Sequence, residues 1–434
     1  MVYYDYAWYK ERILPVPFGS VVFAASLAFL FVMTEILVKR TNIRLSRELG
    51  AIFLFYVVIQ SSLIGLYLND ITDEKLVQYL KTNVHLLFYV IFVVIIIALF
   101  GRGRLTMPLR FYYLCGTAVA AFGILQFIHL NISRIAGFEH LLFGSQDIDQ
   151  TFRRVSSIFN EPSWFAFFLL DWMAIGLGYI FLKGTIREWA LFVLLVIAFF
   201  VSSSLGGYVG LGTLIVLTLL EFRNSSRKFY VILGLVLIPL FIYSFFSILF
   251  LELVGGRIRA IYDDASFQMR IDSIQAAIEV WLKNPIFGVG IGNASFYTPE
   301  YYKGFWLYLY RVGTDLHMAV DSVFFRILAE NGLVGFIAFI FMYYGLVKYE
   351  KKYKFHLSGR NGPVDDETVI FTKIFRIIVL VNFAGFIVSG SLLDPRIWFN
   401  IAFFLSFKRA VADRIRTSNG LKTTGLNSMR QSRI

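Results

Sequence analysis

Apolar runs of membrane-crossing length recur down nearly the whole of this 434-residue chain, and no other feature limits its fold so tightly. Crossing about 30 Å of hydrocarbon takes roughly 20 helical residues, and backbone groups without water must satisfy one another. Such runs can be drawn at Phe18–Val38, Leu49–Leu68, Leu86–Phe100, Phe111–Leu130, Ser163–Leu182 and Trp189–Val201. Others follow at Gly206–Glu221, Phe229–Leu251, Leu333–Val347, Ile374–Gly390 and Ile397–Phe407. That makes about eleven spans, the last of them short. Hydrophobic residues make up 58% of the chain and charged ones 16%, with a mean hydropathy of +0.68, which excludes an ordinary soluble domain. The expected fold class is all-α, a polytopic helical bundle.

Orientation follows from lysine and arginine, because short basic loops stay cytoplasmic. The loops Lys39–Glu48, Gly101–Arg110, Lys183–Arg187, Glu221–Lys228 and Lys348–Lys373 are basic, as is the tail after Phe407. The loop Asn69–Val84 carries Asp70, Asp73 and Glu74 instead and reads as exterior. Residues 1–408 then form one membrane domain with outer loops at 131–162 and 252–324. Residues 409–434 have the composition of a disordered basic cytoplasmic tail. The N-terminus lacks the pattern of a cleaved secretory signal, so Phe18–Val38 reads as a retained span. A net charge of +12, spread over many short loops, is a positive-inside signature with affinity for membrane lipids, and no nucleic-acid partner is expected. The one cysteine, Cys115, can form no intrachain disulfide. Order in the outer loops must come from packing and hydrogen bonds.

The outer loops hold what chemistry there is. The first ends in Arg153-Arg-Val-Ser-Ser-Ile-Phe-Asn-Glu-Pro-Ser-Trp164. Pro162 suits a first helical turn and Asn160 suits a cap, but two adjacent arginines on the outer side also suit a bidentate hold on phosphate. The second loop carries Arg257, Arg259 and Arg270, and from Ile271 to Leu282 apolar residues recur at helical spacing, which predicts an amphipathic surface helix. Asn284-Pro285 stops it. Gly288, Gly290 and Gly292 follow without the Lys-Ser/Thr ending of a nucleotide-binding loop, so they read as scaffolding rather than a phosphate cradle. The aromatic stretch from Phe296 to Tyr310 reads first as interfacial anchoring and second as a sugar-stacking surface. His317 and Asp321, four residues apart, share a face if that segment is helical. The five histidines show no metal-site spacing, and no metal or cofactor is expected.

In combination these residues resemble the O-antigen polymerase and ligase family of bacterial envelope-polysaccharide enzymes. The resemblance is carried by Arg154-Val-Ser-Ser-Ile-Phe-Asn-Glu-Pro, Ser202-Ser-Ser-Leu-Gly-Gly207, and Arg270 before Trp281-Leu-Lys-Asn-Pro-Ile-Phe-Gly-Val-Gly290. His317 with Asp321 and Glu330-Asn-Gly-Leu-Val-Gly335 complete it. It implies a fold like the large membrane glycosyltransferases known as GT-C, and an active site on the outer face of the bacterial cytoplasmic membrane. The implied donor is a polyprenyl-diphosphate-linked oligosaccharide, and a chain-length regulator is an implied partner. Arg154 and Arg270, supported by Arg153, Arg257 and Arg259, would hold the diphosphate. His317 would orient or deprotonate the acceptor hydroxyl, with Asp321 and Glu161 as its partners or substitutes.

Met318 follows the histidine where ligases usually carry a small polar residue, and Leu205 follows Ser204 where many relatives have arginine. The first favours a polymerase that joins lipid-linked repeat units, with ligase-type transfer to lipid A core or protein as the alternative. The second argues against a chemical role for Ser204. A transporter of the same lipids is disfavoured because the spans are nearly free of charge.

Overall fold

The computed structural model describes residues 47–100, 105–133, 155–159, 162–222, 265–303, 320–348 and 366–431. The expected spans Phe18–Val38 and Phe229–Leu251 lie outside them. The described residues are helical and contain no strand. Twelve α-helices are numbered in chain order: α1 Arg47–Ile59, α2 Ser62–Leu68, α3 Asp73–Phe100, α4 Thr106–Asn131, α5 Pro162–Leu182, α6 Ile186–Ser202, α7 Leu205–Glu221, α8 Ala265–Lys283, α9 Ala294–Tyr297, α10 Val323–Val347, α11 Asp366–Gly385 and α12 Pro395–Gln431. A short 3-10 turn at Thr298–Tyr301 follows α9. Among the described residues, six stretches are long and apolar enough to cross a membrane: Arg47–Leu68, Asp73–Ala98, Thr106–Asn131, Pro162–Leu182, Val323–Val347 and Glu367–Gly385. This is a multi-pass membrane architecture.

Helix α5 is the axis of the bundle. Its apolar window is 94% buried, against about 40% for the stretches through α1, α3 and α4. A helix apolar on all sides has no preferred outward face and is stable only when surrounded. It packs against α4, α6, α7 and α11. A second group pairs α10 with α1 and lays α8 across the opposite end of α10.

The helix ends sort charge onto one face of the bundle. There Arg110 meets Glu188 at 2.7 Å, Lys408 meets Glu48 at 2.6 Å, and Arg376 pairs with Glu221. Arg376 Nε also donates to the Val347 carbonyl, and Lys408 Nζ donates to the carbonyls of Leu346 and Lys348. The cations thus cap a helix end whose carbonyls lack intrahelical partners.

Several expectations need correction. The exterior loop at Asn69–Val84 is mostly helix, because α3 starts at Asp73. Its acidic first turn suits the positive end of the helix dipole, and one side of its polar stretch bonds inward: Asn83 Oδ1 accepts from Gln60 Nε2, and Tyr79 donates to Gln60. The span drawn to Gly390 ends as helix at Gly385, and that drawn from Leu333 begins at Val323. Asp321 lies in a bend before α10 rather than on a helix, so the helical pairing with His317 does not hold at its described end. Helix α12 runs from Pro395 to Gln431. An Arg409–Asp413 pair four residues apart supports it.

Candidate functional site

Helix α8 presents Ser273, Ala276, Ala277 and Val280 as its buried stripe, spaced for one helical face. That face packs on α10 and on the turn after α8, where Ala277 and Val280 cluster with Val289, Ala294, Val320 and Ala329. Arg270 stands one turn before Ser273, on the same face, and its carbonyl accepts from Ser273 Oγ at 2.9 Å. The helix therefore aims Arg270 inward. Its Nε comes within 3.7 Å of Asp321 Oδ2, with the arginine side chain 15% exposed and the aspartate 36%.

Ser322 holds the bend that carries Asp321, donating from Oγ to the Phe386 carbonyl at 2.9 Å. Beside this pair lies Tyr302, which is buried and shares a 3.1 Å hydrogen bond with Thr298 Oγ1. Burial pushes its phenol up to about 12, the Thr298 bond pulls it back in part, and the Asp321 charge raises it further. At neutral pH it is a hydroxyl. Asp272, on the same helix, is raised from the usual carboxylate range by burial, against the pull of Lys303.

The glycine turn is a scaffold. Val289 and Gly290 donate to the carbonyls of Ala329 and Glu330, while Leu333 and Val334 donate to those of Pro285 and Ile286. The exchange is possible because Gly332 breaks α10 with φ 61° and ψ −165°, and because Gly288 is left-handed. A Cβ on Gly288 would overlap the Glu330 carbonyl, and one on Gly332 would overlap the Ile286 carbonyl. The two motifs Asn284–Asn293 and Glu330–Gly335, distant in sequence, are one interlocked piece of backbone that fixes α8, and with it Arg270, against α10.

Of the first outer loop, residues 155–159 are described. Gln126 Oε1 on α4 accepts from the backbone N–H groups of Ser156 and Ser157 at 3.2 and 2.7 Å, and Ser157 Oγ donates to the Val119 carbonyl. The chain is pinned at the step after Arg154 and enters α5 at Pro162. Arg153, Arg154, Glu161, Arg257, Arg259 and His317 lie outside the described residues. The mid-chain serines turn the chain between α6 and α7: Ser203 is left-handed, and Ser204 caps α7 by accepting from the Gly207 N–H at 3.2 Å. Its hydroxyl is buried in a helix cap.

Residues 190–340 match the O-antigen ligase family. Over that stretch the chain is similar to the O-antigen ligase family. The match spans α6, α7, α8, the glycine turn and most of α10, about a third of the chain, and includes Ser204, Arg270, His317 and Asp321. Members of the O-antigen ligase family are glycosyltransferase-like enzymes acting on lipid-linked glycans. No curated protein matches this sequence.

One polar group outside the family domain escaped the sequence reading. Asp171, in the middle of α5 and 1% exposed, accepts from Asn382 on α11 at 3.2 Å and from Asn400 on α12 at 2.7 Å. Arg396 Nη1 stands 3.3 Å from it. Arg396 also donates from Nε and Nη2 to Asp394 Oδ2. Asp394 in turn accepts from the Arg396 backbone N–H at 2.9 Å, as an N-cap does, with Pro395 in the first helical position. The expectation of nearly uncharged spans is thus corrected at Asp171. The signal available was a lone aspartate inside an otherwise apolar run, which membrane burial makes costly unless it is partnered.

Proposed function

We propose that the protein is a metal-independent glycosyltransferase that polymerises polyprenyl-diphosphate-linked oligosaccharide repeats into an envelope polysaccharide. It would act at the outer face of the bacterial cytoplasmic membrane, in a fold of about eleven spans of the GT-C kind. The observation that carries this reading is Arg270, fixed by the packed face of α8 and the glycine interlock inside the domain that matches the family. A rigid guanidinium near the bilayer surface is suited to charge that develops on a departing diphosphate.

In this mechanism an acceptor hydroxyl attacks the anomeric carbon of the donor. The bond from that carbon to the phosphate oxygen breaks, its electron pair leaves on the lipid diphosphate, and the hydroxyl proton passes to His317. Arg154 would join Arg270 in holding the diphosphate, with Arg153, Arg257 and Arg259 as further candidates for the same role. Asp321 orients Arg270, and Tyr302 offers a neutral hydroxyl beside it. Glu161 stands as the alternative partner for the acceptor proton. The 3.7 Å separation of Arg270 and Asp321 is loose enough for phosphate oxygens to displace the carboxylate.

Purified protein in liposomes, given lipid-diphosphate-linked repeats, should make a ladder of longer glycans. Arg270→Ala should abolish it, and a wild type that extends nothing with its cognate repeat would overturn the polymerase reading. The description of the matched family as O-antigen ligase favours a second reading, transfer of a finished glycan to lipid A core or protein. Single transfer to such an acceptor without chain growth would select it.

A further inference from the structure

Helix α8 is built in three sectors, where a simple amphipathic helix has two. With each residue turned by about 100° from the last, the buried stripe of Ser273, Ala276, Ala277 and Val280 fills one sector. Gln268, Asp272, Gln275, Glu279 and Lys283 fill the second, and Phe267, Ile271, Ile274, Ile278, Trp281 and Leu282 the third. That third sector is an apolar flank without a charge, yet the fold does not use it as core. Ile271 and Leu282 are 40% and 58% exposed, and the other four are partly exposed. Arg270 falls on the seam between the buried stripe and this flank, in the angle between Ala277 and Trp281. Leu282 leads through the turn to Ile286, which is exposed too, and Leu333 and Val334 donate to the Pro285 and Ile286 carbonyls. From Leu333 the exposed residues continue down one face of α10 as Ile337, Ile340, Phe341 and Tyr344. Because α10 is of membrane-crossing length, that face meets acyl chains, and the flank of α8 is its continuation.

Depth follows from the rise of a helix. At about 1.5 Å per residue, Leu333 stands at most about 21 Å above the basic end of α10. Gly65, where a Cβ would overlap the Gly288 carbonyl, stands at most about 26 Å above Glu48 at that same end. Tilt only lowers both heights. The glycine turn therefore lies within a hydrocarbon layer about 30 Å thick, in the leaflet away from the basic end. Helix α3 agrees, since Thr82, against which Gly292 lies, is about 14 Å below the first residue of that helix. From the turn, α8 runs back along the first turns of α10: Ala277 and Val280 cluster with Ala329, and Arg270 reaches Asp321. Leu282 is thus near the level of the turn, and Arg270 is at most about 18 Å above Leu282.

We infer that α8 docks by this flank into the outer leaflet of the bilayer, with Leu282 and Ile286 among acyl chains and Arg270 raised to the head groups. The seam position of Arg270 then has a purpose. A diphosphate whose lipid tail stays in the same leaflet meets the guanidinium by moving along the membrane plane, without leaving the bilayer. That consequence rests on the lipid-linked donor of the proposed function, whereas the docking itself does not. The test is spin labelling of the full chain in vesicles of phosphatidylethanolamine and phosphatidylglycerol. Cys115 is exposed, so Cys115→Ser is the background, and Leu282→Cys and Ile286→Cys are compared with Gln275→Cys and Glu279→Cys. Collisions with dissolved oxygen report acyl chains, and collisions with a water-soluble nickel chelate report water. The ratio of oxygen to nickel collisions should be about threefold or more higher on the flank than on the polar sector, as for a helix sunk about 5–10 Å into the boundary. Ile278→Cys and Trp281→Cys give a second reading of the flank if a label at the turn lowers the melting temperature. Equal ratios on the two sectors would put the flank in water and overturn the inference. Flank labels shielded from both reagents would also overturn it, because protein would then be the cover, from this chain or a partner. No glycan enters the measurement, so a protein that makes no ladder can still pass it, and one that makes a ladder can still fail.

Discussion

The two faces of this bundle treat charge in opposite ways. At the basic end the ion pairs among the described residues are closed: Lys408 has the Glu48 carboxylate and two backbone carbonyls, and Arg376 has Glu221 and the end of α10. On the other side Arg326 and Glu330 also close a pair at 2.9 Å, but two further pairings are uneven. Arg270 and Asp321 stand 3.7 Å apart on a partly exposed surface, and Arg396 serves two acids beside a cleft. Closed pairs tie helices together, whereas pairs with loose geometry or unequal charge keep capacity for a ligand. The contrast separates architecture from chemistry without reference to any motif.

The largest effect should come from opening a closed pair. Lys408→Met leaves Glu48 partly buried without its cation and strips a donor from the end of α10. Removing one partner of a buried pair costs about 3–5 kcal/mol, so the apparent melting temperature in detergent should fall by many degrees. The rate per folded molecule should hold. Adding Glu48→Gln should restore part of the stability, because the stranded charge goes. If Lys408→Met instead kept its stability and lost polymerising activity, the division between the two faces would fail.

Arg270→Ala should show the opposite profile. Loss of a fixed donor to a developing anion costs about 2.7–4 kcal/mol of transition-state stabilisation, roughly a hundredfold to a thousandfold in rate, while melting should shift less than in Lys408→Met, because the 3.7 Å separation of Arg270 and Asp321 is looser than the 2.6 Å pair of Lys408 and Glu48. Arg270→Lys keeps the charge but not the planar fork and should recover only part of the rate. The measurement is ladder formation per folded molecule beside a thermal melt.

How much of this was legible in the sequence depended on where the information lay. Helix α5 was readable because its run from Ser163 to Leu182 is apolar on every face but for Asp171, and the bundle places it at its axis. The first turns of α3 were not, because their polar residues bond to neighbouring helices and a hydropathy window reads them as loop. Arg270 could be singled out because its signal is local: an arginine at the head of an amphipathic run, followed by a helix stop. Arg396 could not. Its meaning comes from Asp171 on a distant stretch of chain, and a single sequence does not show which span stands next to which. The same limit hid why Gly288 and Gly332 are glycines, since each is required by the backbone of the other's segment.

That interlock offers an intermediate test. Gly332→Ala puts a side chain at φ 61° and ψ −165°, where a non-glycine residue costs about 1–3 kcal/mol before any clash with the Ile286 carbonyl. Because the interlock fixes α8, both melting temperature and activity should fall, and the loss of activity should exceed that explained by unfolded protein. A variant that loses stability alone would detach Arg270 from the scaffold argued for it.

The smallest effect tests whether a family motif is chemistry or architecture. Ser204 accepts from the Gly207 N–H as the cap of α7, so Ser204→Ala should cost about 1 kcal/mol of stability and leave the rate per folded molecule unchanged. Ser204→Asp should retain the cap and much of the stability, since aspartate caps as well as serine does, although its charge is less welcome in a buried turn. Ser204→Asn separates these effects, because it caps without charge. A reacting hydroxyl would behave otherwise: alanine and asparagine would both lose activity at unchanged melting temperature. That outcome would move Ser204 from the closed architecture of the bundle to its open chemical face, next to Arg270.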